Sequence, residues 1–291
     1  MAVTDPSESV RYHERTATRA RLLQPVHHAA YHAAWATVAL AVGLGCAHAQ
    51  VPPKPKLDAC AASFPGGRAP ESTRPQLQTR ATQVCEPTWA ALTSGITRGP
   101  IWVATKVEGG LTAPRTEAVE FHTETSILPA DRATPEDFQG SVFYHGRLAP
   151  IFASTPADEA VSRSSLATVV AMAPALAKGL WPAIDAAVRS MASSDGTLWV
   201  VAGPAFHGKS VESIGSGVLV PTAVWKAVYD PAKHGTAVYV CTNRNPTQCV
   251  VIGVSDLVKE TGVDPFPGVA AAEKAAPMAM PQPEASPYKS E

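Results

Sequence analysis

Apolar residues in this chain come in short runs divided by polar, Gly- and Pro-rich turns, and the runs follow two different periods. Ile101-Trp102-Val103-Ala104-Thr105 is bounded by turn residues and predicts a strand. Further strands are predicted at 197–202, 217–229, 237–241 and 249–252. Glu120-Phe121-His122 lies in another extended stretch, and a polar, Pro-punctuated segment from Leu128 to Phe138 leads into a strand near 143–150. Helical stretches are predicted at 161–172, which is apolar enough for a helix, and at 181–191. In the second, Ile184 and Val188 share a face, and Asp185 and Arg189 stand one turn apart as an i,i+4 pair. Ser255 is placed to cap a last short helix that stops at Gly262. Outside this patterned region, residues 50–78 hold several Pro and Gly and few large apolar side chains, and read as an arm. Residues 268–291 are rich in Ala, Pro and Glu and read as a disordered tail.

Composition narrows the class of function. The chain has 291 residues, is 45% hydrophobic and 17% charged, and carries a formal charge of −1. Phosphate contacts dominate nucleic-acid affinity, so a nucleic-acid binder usually has a basic surplus, and none is visible here. The first 49 residues read as a signal peptide: Arg15, Arg19 and Arg21, then an apolar run from about Ala33 to Leu44, then the small-x-small pattern Ala47-His48-Ala49. The alternatives are a retained membrane anchor or lipid attachment at Cys46. Cleavage before Gln50 would leave Cys60, Cys85, Cys241 and Cys249. Cys241 and Cys249 flank a polar turn between two strands, so a disulfide across that hairpin is easy, and Cys60 pairs with Cys85 by elimination. Both fit an oxidising compartment, so the protein is expected in the periplasm or secreted. A zinc site is disfavoured, because there is no CxxC or paired His at ligand spacing.

The segment Phe143-Tyr144-His145-Gly146-Arg147-Leu148-Ala149-Pro150 carries the strongest family signal. It resembles the active-site strand of the DNA/RNA non-specific endonucleases, the ββα-metal nucleases, which reads Asp-Arg-Gly-His, an apolar residue, Ala, Pro. Other pieces resemble the family in the same order: Pro100–Ala104, Phe121-His122, Leu128–Ala133, Asp137–Ser141, Val200–Pro204, Ile214-Gly215, Val220-Pro221-Thr222, Trp225-Lys226, Ser255–Leu257 and Thr261–Pro267. The resemblance implies an α+β fold with a central antiparallel sheet flanked by helices. It places the endonuclease-like domain at 79–267, between the arm (50–78) and the tail (268–291).

The family's chemistry uses a His as general base, a magnesium ion held by an Asn and waters, and an Arg near the phosphate. By resemblance, Arg147 stands at the general base, His145 at the Arg and Tyr144 at the acid. Ala171 and Ala177 occupy the two Asn positions and Ala175 a Gln position, while Asp185 and Arg189 match the acid and Arg of the following helix. Alanine has no donor, acceptor or charge, so the resemblance implies a frame without its ligands and no bound magnesium. Loss of a general base alone typically costs about 10²–10⁴ in rate. The expected function is therefore that of an exported, catalytically inactive relative that binds nucleic acid weakly or a protein partner, with a homodimer possible. The alternatives are an active metal-dependent phosphodiesterase with an altered centre, in which His145 replaces the base, and an accessory scaffold of an envelope complex. Gly203–Ser210 follows a strand but reads as a surface loop, not a phosphate cradle. His122 and His234 read as structural, and Ser164-Ser165 forms no nucleophile elbow.

Overall fold

The computed structural model describes residues 57–110, 119–152 and 155–283. The predicted signal segment with Cys46, the first residues of the arm and the end of the tail lie outside them. Seven strands form one fully antiparallel sheet. Across it run Cys249–Ile252, Gly235–Thr242, Ala223–Asp230, Leu198–Ala205, Gly99–Val107, Trp89–Ser94 and Ala81–Glu86. The inner strands bury both faces, which is why they read as continuous apolar runs rather than alternating ones. Val103, Val200, Val224 and Val228 face one side, while Trp102, Val201, Trp225 and Ala227 face the other.

The first side is covered by the helix Trp181–Asp195, whose buried residues Trp181, Ile184, Val188, Met191 and Ala192 repeat at helical spacing. Each large side chain buried there contributes about 1.5–3 kcal/mol. The helix ends where Gly196 takes a positive φ of 94°. The second side is covered by the arm and by the segment around the helix Val254–Thr261. Cys60 is bonded to Cys85, and Phe64 lies edge-on to Trp102 with ring centroids 6.0 Å apart. Cys241 and Cys249 are register partners and bonded to each other. Among the described residues, no helix is long and apolar enough to cross a membrane.

Four expectations are corrected. Residues 161–172 are not a helix. Helix covers only Ala157–Ser162, and Val169–Met172 is a strand paired antiparallel with Tyr144–Arg147. An apolar run carries no period to separate helix from strand, and the β-branched Thr168-Val169-Val170 favours the pleated partner. The strand expected at 217–229 is broken near Pro221 into Val218–Leu219 and Ala223–Asp230. Ser255 lies inside the helix Val254–Thr261, where Gly253 holds the N-cap position. Finally, residues 268–283 are ordered. They form a short helix, Ala271–Lys274, and then a strap along Gly235–Thr242. Met278 N donates to Thr236 O at 2.9 Å, and Tyr239 Oη donates to Pro281 O at 2.6 Å. Burial pushes the Tyr239 hydroxyl up to about 12, which keeps it a donor. Met278 and Met280 anchor the strap on the core, an effect that a count of Ala, Pro and Glu does not register.

Candidate functional site

Tyr144–Arg147 and Val169–Met172 make a two-stranded ribbon of their own, with Tyr144 opposite Met172, His145 opposite Ala171 and Arg147 opposite Val169. Gly146 is required by close packing: a Cβ there would lie 2.5 Å from the Met172 methyl. Trp181 Nε1 donates to Arg147 O at 2.8 Å and ties the ribbon to the long helix. Between ribbon and helix lies a cleft of about 190 Å³ lined by His145, Gly146, Arg147, Met172, Ala177, Trp181 and Asp185, closed on one side by Pro150, Ile151 and Phe152.

His145 and Arg147 project from the same face of their strand, as the period of two requires. His145 is sandwiched between Phe121 and Phe138, with ring centroids 4.2 and 4.1 Å away. Its Nε2 is buried and has no hydrogen-bond partner. Burial, and then the charge of Arg147, pull its pKa below the usual histidine range. Arg147 lies over Phe121, its guanidinium carbon 4.2 Å from the ring centroid. Its Nη2 donates to Val119 O at 3.2 Å and to Ser164 Oγ at 3.1 Å, and its Nε is buried without a partner. Burial lowers its pKa as well. Tyr144 points the other way: it is exposed, with Lys178 Nζ 4.4 Å from its ring centroid.

The helical wall begins as a π-turn, Leu176–Leu180, in which Trp181 N bonds back to Leu176 O. Such turns often occur at functional sites, and this one carries Ala177 into the cleft. Asp185 lines the floor and is ion-paired with Lys226, which is fully buried and stacked 4.3 Å from the Trp181 ring centroid. Burial pushes the Asp185 carboxyl upward, and the Lys226 ammonium opposes that. Asp185 therefore pairs across elements rather than with Arg189, whose Nε is buried and unpartnered.

The lead-in to the ribbon is a capped turn. Thr134 N donates to Asp137 Oδ2 at 2.8 Å, and Ser216 N and Oγ donate to Oδ1 at 2.6 and 2.5 Å. Burial raises the Asp137 pKa, but these bonds and the charge of Arg98 outweigh it and hold the carboxyl low. Gly215 supplies a φ of +50° there, and a Cβ on it would overlap Asp137.

The two expected ligand positions separate in space. Ala177 lines the cleft, whereas Ala171 is fully buried in a different apolar cluster with Phe138 and Leu166. Its carbonyl accepts from Asn243 Nδ2 at 2.9 Å, while Asn243 Oδ1 accepts from Ala173 N at 2.7 Å. The sequence reading missed Asn243, the Lys226 partner of Asp185 and the Phe121–His145–Phe138 stack. A lysine inside Val224-Trp225-Lys226-Ala227-Val228 was the available signal, since a buried charge needs a partner. Nothing in the sequence marked Asn243.

Magnesium takes oxygen ligands in near-octahedral geometry. The cleft offers a guanidinium, an imidazole, an alanine methyl and a carboxylate already neutralised by Lys226, so its donor set does not fit that ion. Among the described residues, no group of three or more His, Cys, Asp or Glu side chains is arranged to hold a metal.

The ribbon, the helix that crosses it and the antiparallel sheet behind them define a nuclease-like α+β scaffold. The family profile of the DNA/RNA non-specific endonucleases matches residues 70–272, and the chain belongs to that family. None of the curated proteins matches the chain. Among solved structures, EndoG in the crystal structure of the EndoG/EndoGI complex is similar, with a TM-score of 0.56 and 19% identity over 63% of this chain and 86% of that one. At that identity the likeness shows the fold alone, and it agrees with the α+β class expected from the strands and helices.

Proposed function

We propose that the chain is an exported, catalytically inactive member of its family, retained as a binding module. One observation carries the reading: the cleft presents Arg147, fixed by Val119 and Ser164, where the general base belongs, and Ala177 where a metal ligand belongs. A guanidinium stays protonated and takes no proton from water. The rescue by His145 is opposed by its geometry, because its Nε2 is enclosed between two phenylalanine rings and reaches no solvent. Export is supported by the leader-like pattern of residues 1–49 and by two disulfides, which persist in oxidising compartments.

A bound nucleic acid and a bound protein are the two occupants to separate. The formal charge of −1 favours the protein. EndoG, one of the similar solved structures, was crystallised in a complex with EndoGI that inhibits it, which supports a protein occupant by analogy. The full chain is expected to leave plasmid DNA and RNA intact in magnesium or manganese. Cleavage that disappears with EDTA and with His145→Ala would sink the inactive reading. A polarisation assay with labelled single strands at about 50 mM salt, where phosphate contacts are strongest, decides between the occupants.

A further inference from the structure

The cleft is lopsided in its chemistry. Ile151, Phe152, Met172, Ala177 and Trp181 give it apolar walls. Of its charged lining residues, Asp185 is neutralised by Lys226, which leaves Arg147 as the uncompensated charge among the described residues. Arg147 is also pre-oriented: Nη2 is held by Val119 O and Ser164 Oγ and the guanidinium face rests on Phe121, so Nη1 remains for a ligand. A volume of about 190 Å³ lies below the roughly 300–1,000 Å³ of drug-sized pockets, which suits one ring and a head group. A polynucleotide strand needs a track of cations, and this cleft provides a single one.

We propose that the cleft binds a small amphipathic anion without a metal, its carboxylate or phosphate monoester on Arg147 and its aromatic or aliphatic body against Met172, Ala177 and Trp181. This rests on the reading of the site as inactive. Fixed cation and apolar wall act together: the wall excludes water and strengthens the ion pair, and the fixed guanidinium limits the ordering cost of binding.

Protein-observed NMR titrations on the full chain in EDTA, with phenyl phosphate, benzoate and inorganic phosphate as probes, test the proposal. One of the two ring-bearing anions is expected to bind about tenfold tighter than inorganic phosphate, and which one does so identifies the head group. Arg147→Gln and Ala177→Phe are each expected to weaken that binding by about tenfold or more. The second variant fills the apolar wall from a half-buried helix position, leaves every charge in place, and decides alone if Arg147→Gln does not fold. Equal affinity for phosphate and the ring-bearing anions, unchanged binding in a folded Ala177→Phe variant, or no binding at millimolar concentration overturns the proposal. Absence of binding in a chain that also leaves plasmid intact refutes this proposal alone, whereas metal-dependent cleavage refutes the inactive reading beneath it.

Discussion

Asp137 and the pair His145/Arg147 lie within ten residues of each other, and both put polar atoms into protein interior, yet they are treated in opposite ways. Each carboxylate oxygen of Asp137 accepts hydrogen bonds, two of them from Ser216, nearly eighty residues along the chain. The buried Nε2 of His145 and Nε of Arg147 have no partner. A buried polar atom without a partner costs about 1–3 kcal/mol, which the ring stack on His145 and the Nη2 bonds and ring contact of Arg147 offset. The turn behaves as frame, with its geometry set by capping and by Gly215. The cleft wall keeps two side chains that are packed against phenylalanine rings and yet leave a buried nitrogen unpaired.

Substitutions test that division, and the largest effect is expected beneath the cleft. Asp185→Ala strands the buried Lys226 ammonium and should destabilise by about 3–5 kcal/mol in urea unfolding, while Asp185→Leu with Lys226→Met returns close to the parent. A small loss in the single variant would place the pair in water rather than in the interior. Next comes Asp137→Ala, which removes the capping box and both Ser216 bonds at a cost of about 2–3 kcal/mol in the same measurement. Gly146→Ala should cost about 1–3 kcal/mol by crowding Met172, and Met172→Ala should relieve only part of that cost, because the Met172 Cβ, 2.6 Å from the added methyl, remains in alanine. His145→Phe is the smallest and has the opposite sign: it keeps the ring stack, removes the orphan nitrogen and should stabilise by about 0.5–1 kcal/mol. Destabilisation by His145→Phe would show that Nε2 has a partner in solution.

The pH dependence sharpens the same contrast. His145 has a lowered pKa in the folded protein, so the unfolded chain takes up its proton first as pH falls. Stability attributable to His145 is therefore complete above the ordinary histidine range and is lost as pH drops through that range toward the lower folded value. Asp137 also has a lowered folded pKa, and its contribution is lost further down, as pH falls below the carboxylate range. Urea midpoints against pH should flatten near the histidine range in His145→Phe and near the carboxylate range in Asp137→Ala.

Much of the frame was legible in the sequence because it depends on local rules. The apolar runs marked five of the seven sheet strands and missed Ala81–Glu86 and Trp89–Ser94, the Ile184/Val188 spacing marked the long helix, and Gly262 marked the end of the helix Val254–Thr261. The failures share a cause. Val169–Met172 becomes a strand only because Tyr144–Arg147 lies beside it, and the strap near Met278 is ordered only because Thr236 and Tyr239 receive it. At the site, spacing put His145 and Arg147 on one face, and the structure agrees. Ala171 and Ala177 looked equivalent in sequence, but one sits on the ribbon's inner strand and the other on the π-turn, and only the second meets the cleft. The partners that define the chemistry, Lys226 for Asp185 and the two phenylalanines for His145, come from distant segments that no local pattern joins.

The Cys60–Cys85 bond has a kinetic meaning for the arm that covers Trp102. A segment joined to the sheet both through the chain at Ala81 and through the bond to Cys85 does not diffuse away when its apolar contacts open. Its effective concentration over Trp102 stays on the order of millimolar, so recapture competes with any neighbouring molecule that samples the uncovered indole. The cross-link thus acts as a hinge pin: excursions of the cover are local and reversible, and the tryptophan-rich face beneath is seldom offered to other chains.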